Sequence, residues 1–120
     1  MTAATRKLLR RWRALAARID TLPDAWNATG SFPLLATCRV LVGVIELRPA
    51  LEALAPCQGI DRQVVQITNA LRAIIGTNDL KRGDEVWRWL EGLREPTATL
   101  TATIERAAQE SARAEKSPWK

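Results

Sequence analysis

The sequence predicts an all-α protein, a single-domain bundle of about five helices spanning residues 1–120. Apolar patterns longer than ten residues recur with a period near 3.6, which is the repeat of an α-helix. The segment 97–104 alternates like a strand, but no second segment is available to pair with it. With 120 residues, of which 47% are hydrophobic, the chain is long and apolar enough to form one core.

The first helix is predicted at about residues 3–22. Leu8, Trp12, Leu15 and Ile19 follow each other at steps of four and three, so they form one buried stripe. Pro23 and the acidic residue after it are expected to end this helix, and residues 23–32 are expected to form a loop.

The second helix is predicted at about residues 33–55, with Ser31 as its N-cap. We expect it to be central because it is apolar nearly all round. Pro49 is expected to kink or restart it, because proline has no amide to donate to residue 45. Its apolar residues are Leu34, Leu35, Cys38, Leu41, Val42 and Ile45.

The remaining helices are predicted at about residues 61–75, 79–94 and 96–115, followed by a short tail at 116–120. Asp61 caps the third helix and Gly76 ends it, while Pro96 opens the fifth. The core is expected to include Leu8, Trp12, Leu15, Ile19, Leu41, Ile45, Val64, Leu71, Ile74, Leu90 and Ile104.

Histidine is absent from the sequence, which excludes Ser-His and Cys-His nucleophile pairs and every histidine metal ligand. Cys38 and Cys57 alone form neither a zinc site nor a nucleophile dyad, and unpaired cysteines favour a reducing cytoplasm. Glu46 is the one acidic residue inside an apolar run, and we expect it to pair with an arginine or to reach the edge of the helix. We therefore expect no catalytic residue, metal or cofactor.

The net charge of +5 is concentrated in one segment. Residues 1–22 contain six basic side chains and one acidic side chain, Asp20, whereas basic and acidic residues balance over the other 98. On a helical wheel the six basic side chains cover an arc of about 160° opposite the buried stripe. They are Arg6, Lys7, Arg10, Arg11, Arg13 and Arg18.

A phosphate backbone is the partner that this basic face suits best. Unrelieved like charges destabilise a helix, and arginine, which outnumbers lysine 14 to 4, binds phosphate oxygens in pairs. An acidic protein, a merely solvated face and a membrane surface are the alternatives, and no uncharged apolar stretch is long enough for a membrane span. A lesser basic set is predicted to contribute to nucleic-acid binding at Arg62, Arg72, Lys81 and Arg82.

Two tryptophans are predicted to contact protein partners. Trp87 and Trp89 project from opposite flanks of the fourth helix, so one core cannot bury both, and Trp89 is the expected contact residue. Trp119 lies in the short tail, which has little reason to be ordered alone.

A helical bundle of this size with a one-sided positive face and no catalytic group resembles the small helical subunits of CRISPR effector complexes. The resemblance rests on the basic face, the lesser basic set and the number of helices. It implies a role in antiviral defence, sequence-independent binding of RNA or single-stranded DNA by the backbone, and contacts with other subunits and copies of itself. The alternative is a protein-interaction module, such as a phage-encoded inhibitor, antitoxin or adaptor, without nucleic-acid contact.

Overall fold

The computed structural model describes residues 2–29, 34–54, 59–78 and 83–116. These residues form helices without any strand, which confirms the all-α prediction. The helical segments in the described part are α1 (Ala3–Thr29), α2 (Leu34–Leu54), α3 (Ile60–Asn78), α4 (Gly83–Gly92) and α5 (Arg94–Lys116).

The helices surround one core as four rods, because α4 and α5 are separated by Leu93 alone and form a near-continuous stretch. The helix α1 packs against α2 and α5, and α3 packs against α2, α4 and α5. Within the described residues α1 and α3 lie on opposite corners of the bundle, and no Cα atom of one lies within 8 Å of a Cα atom of the other. The bundle is elongated and measures 59 × 24 × 20 Å.

Three of the four residues in the predicted stripe of α1 are buried, namely Trp12, Leu15 and Ile19. Thr2 caps the helix, since its Oγ1 accepts the Thr5 N–H at 3.1 Å. Trp12 is completely buried, and its Nε1–H donates to Thr101 Oγ1 on α5 at 2.9 Å. The Thr101 hydroxyl donates in turn to the carbonyl of Thr97 at 2.8 Å, so the indole nitrogen has a partner inside the bundle.

Most of the predicted core is confirmed. The buried members are Trp12, Leu15, Ile19, Val64, Leu71, Ile74, Leu90 and Ile104. Leu8 and Leu41 are only partly buried at the margin of the core. The prediction for Ile45 is wrong, because its side chain is 46% exposed.

The predicted end of α1 at Leu22 is also wrong, because the helix continues to Thr29 through residues 23–29 of the expected loop. Pro23 removes one backbone hydrogen bond, to the carbonyl of Ile19, but it is buried. Burial of its ring in the bundle offsets the lost bond. The rest of the expected loop, residues 30–32, lies outside the described residues.

The helix α2 is not central. Its buried residues lie on one narrow arc, namely Thr37, Val40, Val44, Leu47 and Leu51. Leu34, Leu35, Val42 and Ile45 are exposed instead, and we call these four residues the apolar face of α2. Because α2 is apolar on nearly all sides, its sequence could not indicate which side faces the core.

The predicted restart at Pro49 and the predicted end of the third helix at Gly76 are not observed, whereas the predicted start of the fourth helix at residue 79 lies outside the described residues. The helix α2 continues through the exposed Pro49 to Leu54, since the missing hydrogen bond lies on the solvent side. The helix α3 passes through Gly76, which has an ordinary helical φ, and ends at Asn78. The described part of the fourth helix begins at Gly83.

Two glycines have specific structural roles. Gly59 has a φ of 73° just before α3, a left-handed conformation that glycine adopts without strain. Gly43 lies where α2 crosses α1, and a Cβ atom at this position would lie 2.8 Å from Leu15 Cδ1. The absence of a side chain at Gly43 therefore sets how closely α1 and α2 approach.

Candidate nucleic-acid interface

The basic face of α1 consists of Arg6, Lys7, Arg10, Arg11, Arg13 and Arg18. All six side chains are exposed, and they occupy the arc opposite the buried stripe. Ala14 and Ala17 are also exposed between the cations, and their short side chains leave a depression in the middle of the face. From Arg6 to Arg18 the face extends over about 18 Å of helix.

One of the six cations is already paired. Arg13 donates from Nε to Glu105 Oε1 on α5 at 3.0 Å, and its Nη2 lies 2.9 Å from the same oxygen. The side chain of Arg13 remains 60% exposed, but Glu105 offsets its charge. The other five cations form no ion pair or hydrogen bond with any described residue through their side chains.

Four of the five unpaired cations divide between the two flanks of α1. Arg6 and Arg10 line a shallow concavity with Leu9 and Arg13 on the side of α5. Arg11 and Arg18 line a second concavity between α1 and α2, which we call the α1–α2 groove.

The α1–α2 groove has an apolar floor and a mostly basic rim. Its volume is about 470 Å³. Leu15, Val42 and Gly43 lie along the floor, and Arg39 joins Arg11 and Arg18 around it. Glu46 is the acidic residue that lines the groove, where it is exposed and has no ion pair with a described residue. Of the two expectations for Glu46, the exposed position is therefore observed and the pairing with an arginine is not.

Two residues predicted for different roles lie in one groove on the other side of the bundle. Arg62 on α3 and Trp89 on α4 line this α3–α5 groove of about 630 Å³, together with Gln66 and Asn69. Trp89 is 44% exposed, whereas Trp87 packs partly buried against the core, so Trp89 is the exposed tryptophan of the pair. The groove lies between α3 and the α4–α5 rod, away from the basic face.

The other members of the predicted site do not join these grooves. Arg72 is exposed about three turns beyond Arg62 on α3. Lys81, Arg82 and Trp119 lie outside the described residues. The structure therefore brings together the cations of α1, and it separates them from Arg62 and Arg72.

A small charged cluster joins α2 to α3. Arg48 Nε donates to Glu52 Oε1 at 2.8 Å, and the same guanidinium bonds to Asp61. Hydrogen bonds to Glu52 and Asp61 raise the pKa of Arg48 above its ordinary value. Hydrogen bonding with Glu52 and with Arg48 lowers the pKa of Asp61 below 3.8. This cluster links α2 to α3 and lies apart from the basic face.

Groups suited to metal binding or membrane insertion are not found in the described ranges. No set of three cysteines or carboxylates is close enough there to hold a metal ion. Cys38 is a free, half-buried thiol on α2, and Cys57 lies outside these ranges. None of the helices described is both long and apolar enough to cross a lipid bilayer.

Sequence reasoning missed two features of this surface. The first is the apolar face of α2. The sequence did contain an indication of it, because the apolar residues of this segment are not confined to one side of the helix. The second is the pairing of Arg13 with Glu105, two residues that are 92 positions apart, which no local pattern could indicate. Comparison of the chain with protein-family models, with curated proteins and with solved structures finds no match.

Proposed function

We propose that this protein binds the backbone of nucleic acid through the basic face of α1, without catalysis and without reading sequence. The observation that carries the proposal is the set of five exposed cations on one helix face that have no ion-pair partner among the described residues. An exposed helix face normally mixes both signs of charge, whereas this one has no acid from Arg6 to Arg18.

The repulsion between the cations of the basic face supports a polyanionic partner. Arg6 and Arg10 are four residues apart, as are Lys7 and Arg11, and each like-charge pair destabilises a helix by about 0.2–0.5 kcal/mol. A phosphate backbone removes this repulsion and releases its own counterions. Exposed Ala14 and Ala17 leave room for phosphates to approach between the cations.

The chemistry of the face favours phosphate over bases. Five of its six cations are arginines, whose guanidinium groups bind phosphate oxygens in pairs. Asparagine and glutamine, the usual readers of adenine, are absent from Ala3 to Ala25. Sequence-independent binding of the phosphate backbone follows, and the resemblance to small CRISPR subunits implies RNA or single-stranded DNA as the partner.

The second candidate function is a helical protein-interaction module, and the apolar face of α2 favours it. Leu35 is 64% exposed and Val42 is 53% exposed, whereas a monomeric soluble protein seldom shows several large apolar side chains side by side. The two candidates are compatible, because the two faces meet only in the α1–α2 groove, where Val42 lies beside Arg11 and Arg18, whereas Arg6 and Arg10 line the other flank of α1. We therefore propose that the protein acts as a nucleic-acid-binding subunit of a larger assembly.

Charge reversal tests the nucleic-acid proposal. The double variant Arg6→Glu/Arg10→Glu preserves a like-charge pair at i,i+4, so helix stability is expected to change little. We expect affinity for a fluorescent single-stranded oligonucleotide, measured by anisotropy, to fall by at least about tenfold for all sequences alike.

The matched control is Arg106→Glu/Arg113→Glu on α5, which changes the net charge by the same amount. Both residues are exposed, and Arg106 lies about 100° round α5 from Glu105, on the side away from α1. We expect this control to lose less than about threefold, the effect of net charge alone. Equal losses in the two double variants would contradict a specific role for α1. Tight binding to one protein and none to nucleic acid would favour the second candidate.

A further inference from the structure

We infer that the apolar face of α2 is a two-fold interface, on which a second copy of this chain docks antiparallel. Four of the large hydrophobic side chains exposed on the described surface belong to this one helix, namely Leu34, Leu35, Val42 and Ile45. Half-buried Cys38 lies among them. No other described element covers this side of α2.

The spacing of these residues suits a helix partner. Leu35, Cys38, Val42, Ile45 and Pro49 follow one another at steps of three, four, three and four. This is the spacing of the contact seam in a pair of packed helices. The seam extends over about 21 Å, because fourteen residues separate its ends.

The charges beside the seam select a second copy as the partner. Arg39 and Glu46 both lie on the α1 side of α2, and neither forms an ion pair with a described residue. We place the two-fold axis of the antiparallel pair at the level of Val42. Any two residues that lie opposite each other across the interface then have numbers that add up to 84. Along the helix axis, the level of Arg39 in each copy then differs from that of Glu46 in the other by one residue, an axial offset of about 1.5 Å.

The same axis also matches the apolar residues. It places the two Val42 side chains against each other and brings Leu35 of one copy opposite Pro49 of the other. Cys38 then lies within one residue of Ile45 of the second copy. One register therefore satisfies the apolar and the charged positions together, which an unrelated partner would have no reason to match.

The area of the apolar face sets the expected affinity of the dimer. A single pair of helices over this length buries on the order of 1,000 Å² in total, near the lower limit for a specific interface. We expect a reversible dimer with a dissociation constant of roughly 1 to 100 µM.

The two-fold axis places both copies of α1 on the same side of the dimer. This follows because α1 lies beside the side of α2 that carries Arg39. Arg11 and Arg18 from each copy then line one basic groove that the two copies share. This consequence rests on the proposed nucleic-acid function, whereas dimer formation itself does not.

Sedimentation equilibrium of the full chain across the micromolar range, without nucleic acid, tests the interface. We expect the wild-type protein to dimerise, and Val42→Glu to raise the dissociation constant by at least about tenfold. Val42 is exposed, so circular dichroism should show an unchanged helix content for this variant.

The charge swap tests the register and does not depend on that variant. Arg39→Glu and Glu46→Arg should each weaken the dimer by about fivefold or more, because each creates two like-charge contacts. The double variant Arg39→Glu/Glu46→Arg reverses both members of each pair and should return the dissociation constant to within about threefold of wild type.

Three results would overturn the inference: a monomer throughout the concentration range, a dimer unaffected by Val42→Glu, or a charge-swapped double variant no tighter than the weaker single variant. None of these results bears on the charge reversal of α1. Failure of the dimer and failure of the nucleic-acid proposal are therefore distinguishable.

Discussion

Replacing Gly43 by alanine is expected to destabilise the protein, although alanine is the better helix former. The added Cβ would lie 2.8 Å from Leu15 Cδ1 and 3.5 Å from Leu15 Cδ2. Carbon atoms in contact prefer about 3.5–4.0 Å, so Leu15 must move by several tenths of an ångström. Leu15 is buried, and this movement disturbs the packing of α1.

Two opposing energies decide the sign of the effect. Overpacking of a core costs about 1–3 kcal/mol, and replacing glycine by alanine inside a helix returns up to about 1 kcal/mol. We expect a net loss of about 1 kcal/mol for Gly43→Ala, which corresponds to roughly 4 °C in the melting temperature of a domain this size.

Gly76→Ala is the matched control. Gly76 is exposed within α3, and a Cβ atom there would have no neighbour within 4 Å. This substitution should stabilise the protein by about 0.5 kcal/mol through helix propensity alone. Thermal melts followed by circular dichroism at 222 nm should therefore shift in opposite directions for the two variants.

A third variant isolates the contact with Leu15. In a Leu15→Ala background the clashing atoms are gone, so Gly43→Ala should become stabilising. An equal rise in melting temperature for Gly43→Ala and Gly76→Ala in the wild-type background would refute the close approach of α1 and α2.

Three further variants test other parts of the structure. Trp12→Phe removes the indole donor to Thr101 and leaves a void, so urea denaturation should show a loss of about 2 kcal/mol. Trp89→Phe should change the unfolding free energy by less than about 0.5 kcal/mol in the same assay, because that side chain is largely exposed. Hydrogen bonding with Glu52 and with Arg48 makes the pKa of Asp61 lower in the folded state, so these contacts stabilise the fold above pH 3.8 and lose this effect as the pH falls through the folded pKa. Asp61→Asn should therefore flatten the acid limb of a plot of urea midpoint against pH, and an unchanged limb would exclude the pairing.

The part of this structure that the sequence predicts best is α1. Its polar and apolar residues are segregated, so a single helical period indicates both the buried Trp12 and the exposed Arg10. The end of α1 was not predictable in the same way, because the cost of Pro23 is local and the burial that offsets it depends on other helices.

Tertiary contacts account for the remaining differences. The sequence of α2 is apolar on nearly all sides, so the positions of the neighbouring helices decide that Val44 is buried and Ile45 is exposed. The grouping of Arg62 with Trp89 in one groove likewise depends on how α3 packs against the α4–α5 rod. The pairing of Arg13 with Glu105 reduces the number of unpaired cations on α1 from six to five.

The salt dependence of nucleic-acid binding tests the central claim most directly. Each phosphate neutralised lowers log K by about 0.7 to 0.9 per tenfold rise in salt concentration. With three to five α1 cations on phosphates, the slope of log K against log salt should be roughly −2 to −4 for single-stranded oligonucleotides of any sequence. Arg6→Glu/Arg10→Glu should bring this slope closer to zero, while Arg106→Glu/Arg113→Glu should leave it unchanged. A slope near zero, or one equally altered by both double variants, would contradict phosphate binding by the basic face of α1.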